Sequence, residues 1–285
     1  MVDLRIQYAR TADGVNIAYA QFGEGVPLVY APGAYGLALH YYSELAYSRG
    51  NVDALVAKGF RLIRYDSRGT GSSDRDNLDF SLDTGVLDME AVVDRLGLDR
   101  FVLMGHFHSS RAAIAYTVRH PERVTHLVLR DPTTSRVDMD AIFPGNAVLD
   151  AMIPLAAEQW ELVSLNVAAI GLGIVDLGIT MELAKALRSG VTAESFVAQQ
   201  KALAAIDVTD LLELVPVPTL VVVDKAFPGR SGDPAHQQWS IYVKKIAAAI
   251  PDSRLETTDD FPAAVAGLRH VYIWLRKSPP ADCNK

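Results

Sequence analysis

Short apolar runs separated by helically spaced stretches mark the first half of the chain. "PLVYA" (27–31), "FRLIRYD" (60–66), "FVLMG" (101–105) and "HLVLRD" (126–131) are apolar nearly throughout. That pattern predicts strands buried on both faces of a parallel sheet, since a half-exposed strand would alternate. Between them, "SLDTGVLDMEAVVDRLG" places Leu82, Val86, Met89, Val92, Val93 and Leu96 on one helical stripe and stops at Gly97. "SSRAAIAYTVRH" predicts a second helix, halted by Pro121. Earlier, "RIQYAR" and "NIAYAQF" flank "TADGV", an Asp-Gly turn that predicts an antiparallel hairpin at the sheet edge. Strands and helices in alternation imply βαβ crossovers, and so a mostly parallel, doubly wound α/β sheet.

From residue 133 to about 215 the strand pattern stops. "QWELVSLNVAAIGL" and "TAESFVAQQKALAAI" are helical there, and the segment predicts a helical cap over one end of the sheet. It holds four Lys/Arg against eleven Asp/Glu, a formal charge of −7 that equals the net charge of the whole chain. "VPVPTLVVVD" then returns to strand, "HQQWSIYVKKIAAAI" predicts a helix, "RLETT" a last strand and "PAAVAGLRHVYIWLRK" a closing helix. The expected division is a core of residues 1–132 and 216–277, a cap of 133–215 and a polar tail of 278–285.

Composition narrows the function classes. With 285 residues, 49% hydrophobic and 21% charged, there is ample material for one large core. The acidic balance excludes the basic stripe of a nucleic-acid binder. "VAAIGLGIVDLGI" carries Asp176, which argues against a membrane span. The opening "MVDLRIQYARTADG" lacks a basic region followed by an apolar stretch, so no signal peptide is expected. One cysteine, Cys283, gives neither an internal disulfide nor metal-ligand spacing, and a cytoplasmic location is expected.

"DGVNIAYAQFGEGVPLVYAPG", "FRLIRYDSRGTGSSDRD", "HPERVTHLVL" and "DLLELVPVPTLVVVD" resemble the α/β-hydrolase superfamily. The likeness is nearest to the hydrolase-like domain fused to some bacterial nucleotide cyclases or transcription regulators. The resemblance implies an α/β-hydrolase fold with a helical cap. It also implies a nucleophile on a sharp strand-to-helix turn, G-x-S-x-G, whose small neighbours let strand and helix nearly touch. In "GHFHSS" the steric part is kept by Gly105, Ser109 and Ser110, but the nucleophile slot holds Phe107, which has no lone pair with which to attack a carbonyl. The family's histidine slot in "TTDDFPAAV" holds Phe261, and the acid slot in "DKAFPGR" holds Phe227. By the same resemblance the oxyanion hole would use the backbone N–H groups of Ala34 and His108, which side-chain replacement leaves in place. Gly33, Tyr35, Phe107 and Phe261 would line the pocket, with Tyr30, His40 and Tyr41 clustered nearby.

Each residue also has a plainer reading. Phe107 is either the apolar floor of a ligand site or the mark of a decayed or altered enzyme. His108 is either an acid–base group served by Asp131, at the end of "HLVLRD", or a histidine bonded to backbone at a helix start. His106 and His108 as metal ligands lack a third partner in sequence, and no metal or other cofactor is expected. Ser109 and Ser110 as substitute nucleophiles compete with a role in packing or capping the helix. In "YDSRGTGSSD", Asp66, Arg68 and Asp74 are expected to satisfy backbone groups of a tight turn; the spacing is not that of a phosphate loop.

Three functions stay open on the residues. The first is a non-hydrolytic, cofactor-free lyase, decarboxylase, isomerase or cyclase acting on a small apolar substrate under the cap. The second is a catalytically dead ligand-binding or regulatory module. The third is an esterase with a non-standard nucleophile, or a chain whose parent carries serine. No nucleic acid or membrane partner is expected, and a homodimer is left open.

Overall fold

The computed structural model describes residues 4–32, 39, 46–137, 140, 145–172, 177–224 and 234–258. Eight strands form one sheet: β1 (Gln7–Arg10), β2 (Asn16–Phe22), β3 (Val26–Tyr30), β4 (Phe60–Tyr65), β5 (Phe101–His106), β6 (Val124–Arg130), β7 (Thr219–Asp224) and β8 (Ser253–Thr258). Their order is β1-β2-β4-β3-β5-β6-β7-β8. The β1–β2 and β2–β4 pairs are antiparallel, and every other pair is parallel. The predicted edge hairpin is present, and Gly14 takes φ 92° in its turn, a conformation that glycine adopts without a Cβ clash.

Strand alternation decides which side chains meet. Phe101 and Leu103 of β5, Leu127 and Leu129 of β6, and Val221 and Val223 of β7 join one buried cluster. Their neighbours Val102, Met104, Val128, Leu220 and Val222 join a second. Helices α2 (Leu82–Arg95) and α3 (Ser109–Arg119) pack on the first cluster through Val86, Met89, Val92, Ala113 and Ile114. Helix α1 (Ala46–Ala57) adds Val52 and Leu55 to the second. The all-apolar strands are thus covered on both faces, as their sequences require. Ser81 caps α2 by accepting the Thr84 N–H, and Gly97 ends it at φ 59°.

Between β6 and β7 the described elements are all helical: α4 (Asn146–Met152), α5 (Trp160–Leu172), α6 (Leu177–Gly190) and α7 (Ala193–Ala205), with 3-10 turns at Ile153–Leu155 and Thr209–Leu214. They share a cluster of their own around Leu149, Val163, Val167, Leu187 and Phe196. This layer is bonded to the backbone of the core's polar turn: Gly71 N–H donates to Gly190 O (2.7 Å) and the Ser195 side-chain Oγ donates to Gly69 O (2.8 Å). Its two ends meet where Val208 N–H donates to Thr134 O (3.0 Å). Helix α8 (Pro234–Ala249) follows β7 and buries Trp239 and Val243 against the first cluster. No described helix is long and apolar enough to cross a membrane. The expected closing helix (262–277) and the polar tail lie outside the described residues.

Candidate functional site

The carboxyl ends of β5 and β6 hold both non-glycine residues with positive φ among those described: Phe107 at 55° and Asp131 at 44°. For a bulky side chain this costs about 1–3 kcal/mol, so the surroundings must impose it. Gly105 shows how. A Cβ there would stand 2.7 Å from Ser110 Cα and 3.0 Å from Ala113 Cβ, so β5 and α3 approach too closely for any other residue. The chain must turn sharply at Phe107, whose N–H donates to Arg130 O (3.2 Å) while its carbonyl accepts from Ser110 N–H (3.1 Å). β5 therefore passes into α3 through a sharp elbow with a phenyl ring at its apex.

That ring is packed. It stacks on the Trp239 indole at 5.0 Å between centroids and 23° between planes, and the imidazoles of His106 and His108 meet it edge-on at 5.6 and 5.7 Å. Trp239, itself 0% exposed, donates its Nε1–H to Asp131 Oδ1 at 2.9 Å. Asp131 is likewise 0% exposed, and its N–H donates to Val222 O (2.8 Å). An indole therefore links the elbow apex to the strand-end carboxylate. Aromatic stacking of this kind contributes about 0.5–1.5 kcal/mol beyond burial.

The serines beside the elbow are engaged or enclosed. Ser109 Oγ donates to His106 O and accepts from His106 N–H, both at 2.9 Å, which ties the strand end to the helix start. Ser110 is fully buried against Gly105. His108 precedes α3, and burial, followed by the Arg111 and Arg136 charges, pushes its imidazole down to about 3. It is neutral at neutral pH. The residue as a whole is half-buried, but its Nδ1 is enclosed, and it borders a cleft of about 100 Å³ shared with Pro32, Ser81, Gly85, Ala112, Gln199 and Leu203. Phe107 does not line this cleft.

Arg111 joins the elbow helix to the helical layer. It is 1% exposed, and its guanidinium donates to Leu203 O (2.6 Å) and Ile206 O (3.2 Å) at the end of α7 and to Ser135 O (2.6 Å) just after β6. The polar turn after β4 is structural, as expected. Asp66 accepts from Ser72 N–H within the turn and from Leu39 N–H, whereas Asp74 departs from the expectation and accepts from Asn16 N–H at the start of β2. Burial raises Asp66 to about 6. Arg68 differs from the expectation: its guanidinium pairs with Asp88 (2.8 Å) and Asp13 (2.7 Å), and only its own backbone N–H serves the turn, donating to Asp88. A buried arginine beside carboxylates on two neighbouring elements finds ion pairs more favourable than neutral backbone acceptors.

Of the residues singled out from sequence, Phe107, His108 and Asp131 come together at one sheet edge. Gly33, Ala34, Tyr35, His40, Tyr41, Phe227 and Phe261 lie outside the described residues. Nothing in the sequence singles out Trp239 or Arg111: Trp239 occupies an ordinary apolar position of a helix, and nothing local ties it to a carboxylate 108 residues earlier. Among the described residues, no group of three or more His, Cys, Asp or Glu is placed to hold a metal ion.

Residues 26–156 match the family model described as alpha/beta hydrolase fold. A 2-hydroxy-6-oxononadienedioate/2-hydroxy-6-oxononatrienedioate hydrolase from Klebsiella pneumoniae is 33% identical over 99 residues. That match covers 34% of this chain and 34% of the relative, so the chain spans about a third of the length of the curated relatives that lead the comparison. Among solved structures, an esterase from Exiguobacterium antarcticum superposes with a TM-score of 0.72 at 18% identity, covering 95% of this chain and 99% of that one. An enol-lactonase from Burkholderia xenovorans LB400 does so with a TM-score of 0.69 at 17% identity, covering 95% and 100%. This strand order, the strand-to-helix turn after β5 and these likenesses together give the chain the α/β-hydrolase fold.

Proposed function

We propose that this protein keeps the hydrolase framework to bind a small apolar molecule beneath its helical cap and to act on it without hydrolysis. The observation that carries the reading is Phe107 at the elbow apex, held at φ 55° and stacked on Trp239. A phenyl ring can neither attack an acyl carbon nor lose a proton, and the adjoining indole occupies a carboxylate oxygen of Asp131. His108 is a poor general base because it stays unprotonated only by being too weakly basic to take a proton at neutral pH. Turnover would then come from holding a substrate in a productive shape, with the backbone N–H groups of Ala34 and His108 polarising a carbonyl. By the sequence resemblance alone, Phe227 and Phe261 stand in the remaining triad slots, in keeping with this reading.

Two features weigh against a substitute nucleophile. Ser109 Oγ is committed to His106 backbone, and Ser110 is enclosed between β5 and α3. The relatives named as hydrolases share the framework, and the comparison reaches only a third of their length. The test is a panel of p-nitrophenyl esters together with native mass spectrometry of the purified protein. The expected result is a bound apolar molecule of constant mass and no ester turnover above the uncatalysed rate. Steady-state hydrolysis, with fluorophosphonate labelling at Ser109 or Ser110, would overturn the proposal. A ligand that leaves the protein chemically unchanged favours the binding module over the lyase or isomerase.

A further inference from the structure

The Asp66 carboxylate, directly after β4, joins parts of the molecule that are far apart in sequence. It is 3% exposed, and its two oxygens accept from different elements. Oδ1 accepts from Leu39 N–H (3.0 Å), in the segment between β3 and α1, and Oδ2 from Ser72 N–H (2.8 Å), in the turn after β4. Gly71 packs directly on Oδ2, where any Cβ would overlap the carboxylate, and its N–H is the donor to Gly190 O at the end of α6. The same turn receives Ser195 Oγ at Gly69 O and sends Arg75 to Ser189 O (3.1 Å). One carboxyl group therefore sits under the bonds that dock the α6–α7 junction on the core.

Charge around Asp66 is poorly matched to an anion. Arg64 of β4 lies over the Tyr30 ring (4.6 Å) and Arg75 donates to Ser189 O and Gly71 O; among the described residues neither is within ion-pair distance of Asp66. Asp74, another carboxylate of the turn, is exposed and bonded to Asn16. Ionised Asp66 strengthens both of its N–H bonds but leaves a charge with two neutral donors in a site nearly closed to water. Burial outweighs the bonds and raises the carboxyl to about 6. We propose that Asp66 is a proton-operated latch on the helical layer: the neutral acid keeps the Leu39 segment, the Gly71 turn and the α6–α7 junction docked together, and ionisation loosens all three so that water reaches the carboxylate. Entry beneath the layer is then freer at neutral than at mildly acidic pH. The inference stands on these bonds and not on the non-hydrolytic reading.

The test uses the full chain with ¹³C-labelled aspartate carboxyl groups and ¹⁵N amides, followed by NMR across this pH range. With the carboxyl at about 6 when latched and at the ordinary 3.8 when released, linkage makes opening about tenfold more frequent at about pH 7.5 than at about pH 5. Exchange of the Leu39, Ser72 and Gly71 amides, each divided by its intrinsic rate at that pH, is expected to rise together by that factor. Its midpoint should coincide with that of the Asp66 carboxyl carbon. Asp66→Asn, which has no proton to lose in this range, is expected to remove the pH dependence. An Asp66 carboxyl carbon that titrates at its ordinary value overturns the proposal on the unmodified chain, whether or not Asp66→Asn folds. So does corrected exchange at Leu39 and Gly71 that is the same at both pH values. A folded Asp66→Asn protein that keeps the full pH dependence overturns it as well, because another group would then carry the effect.

Discussion

Replacing Arg111 with methionine keeps a long apolar side chain on α3 but removes the donor shared by three carbonyls. Leu203 O, Ile206 O and Ser135 O lose bonds of 2.6, 3.2 and 2.6 Å from a side chain that is 1% exposed, so water cannot take its place without opening the layer. Hydrogen bonds from a charged donor contribute about 1.5–3 kcal/mol each, and three would total roughly 4–9. Against this, methionine recovers the several kcal/mol, in order of magnitude, that it costs to desolvate a guanidinium. Partial rehydration of the half-buried Leu203 and Ile206 reduces the loss again. The expected net destabilisation is about 2–4 kcal/mol in urea unfolding, accompanied by faster amide exchange across residues 193–214. A second readout is independent of stability. Arg111 follows burial as a cause holding His108 near 3, so the imidazole should titrate closer to its ordinary value in the variant. A loss under about 0.5 kcal/mol with unchanged exchange would refute the reasoning, because the guanidinium's burial would then offset all that its bonds contribute.

Gly85 lies inside α2 and a Cβ there would meet only Ala112 Cβ at 3.7 Å, so Gly85→Ala should stabilise the protein by about 0.5–1 kcal/mol and raise its thermal midpoint. Trp239→Phe keeps a ring against Phe107 but removes the donor to Asp131 Oδ1; a loss of about 1–3 kcal/mol in urea unfolding is expected, and an unchanged midpoint would contradict the bridging role. His108 and His126, at about 3 and 4, are depressed chiefly by burial, so the unfolded chain binds more protons below its ordinary histidine value of 6.5. The stability they contribute is complete above that value and is lost as pH falls through the window toward 4 and 3. Asp66, raised to about 6, acts in the opposite sense: its contribution is complete below 3.8 and lost as pH rises through 6. His126→Gln should therefore flatten the loss of stability between pH 7 and 5 by up to about 2 kcal/mol, measured by urea unfolding at the two pH values.

Sequence by itself determined the local structure and the layered plan. Apolar runs such as "FVLMG" and "HLVLRD" became parallel strands covered on both faces, because their side chains alternate between two buried clusters. Ser81, Gly97 and the Asp13-Gly14 turn ended elements where their chemistry demands it, since capping and positive φ depend on neighbours only a few residues away. The apolar residue at the turn was equally legible, as it is the identity of one residue, Phe107, two positions after a glycine that the close approach of strand and helix requires. Only the tertiary structure decided what that residue touches. The Trp239 bridge to Asp131 spans 108 positions, the Arg111 clamp reaches 92 and 95 positions ahead, and the cleft takes its walls from four separate parts of the chain. Periodicity records which face of a helix or strand is apolar; which distant side chain faces it is settled when the crossovers bring strand ends, elbow and inserted helices to one edge of the sheet.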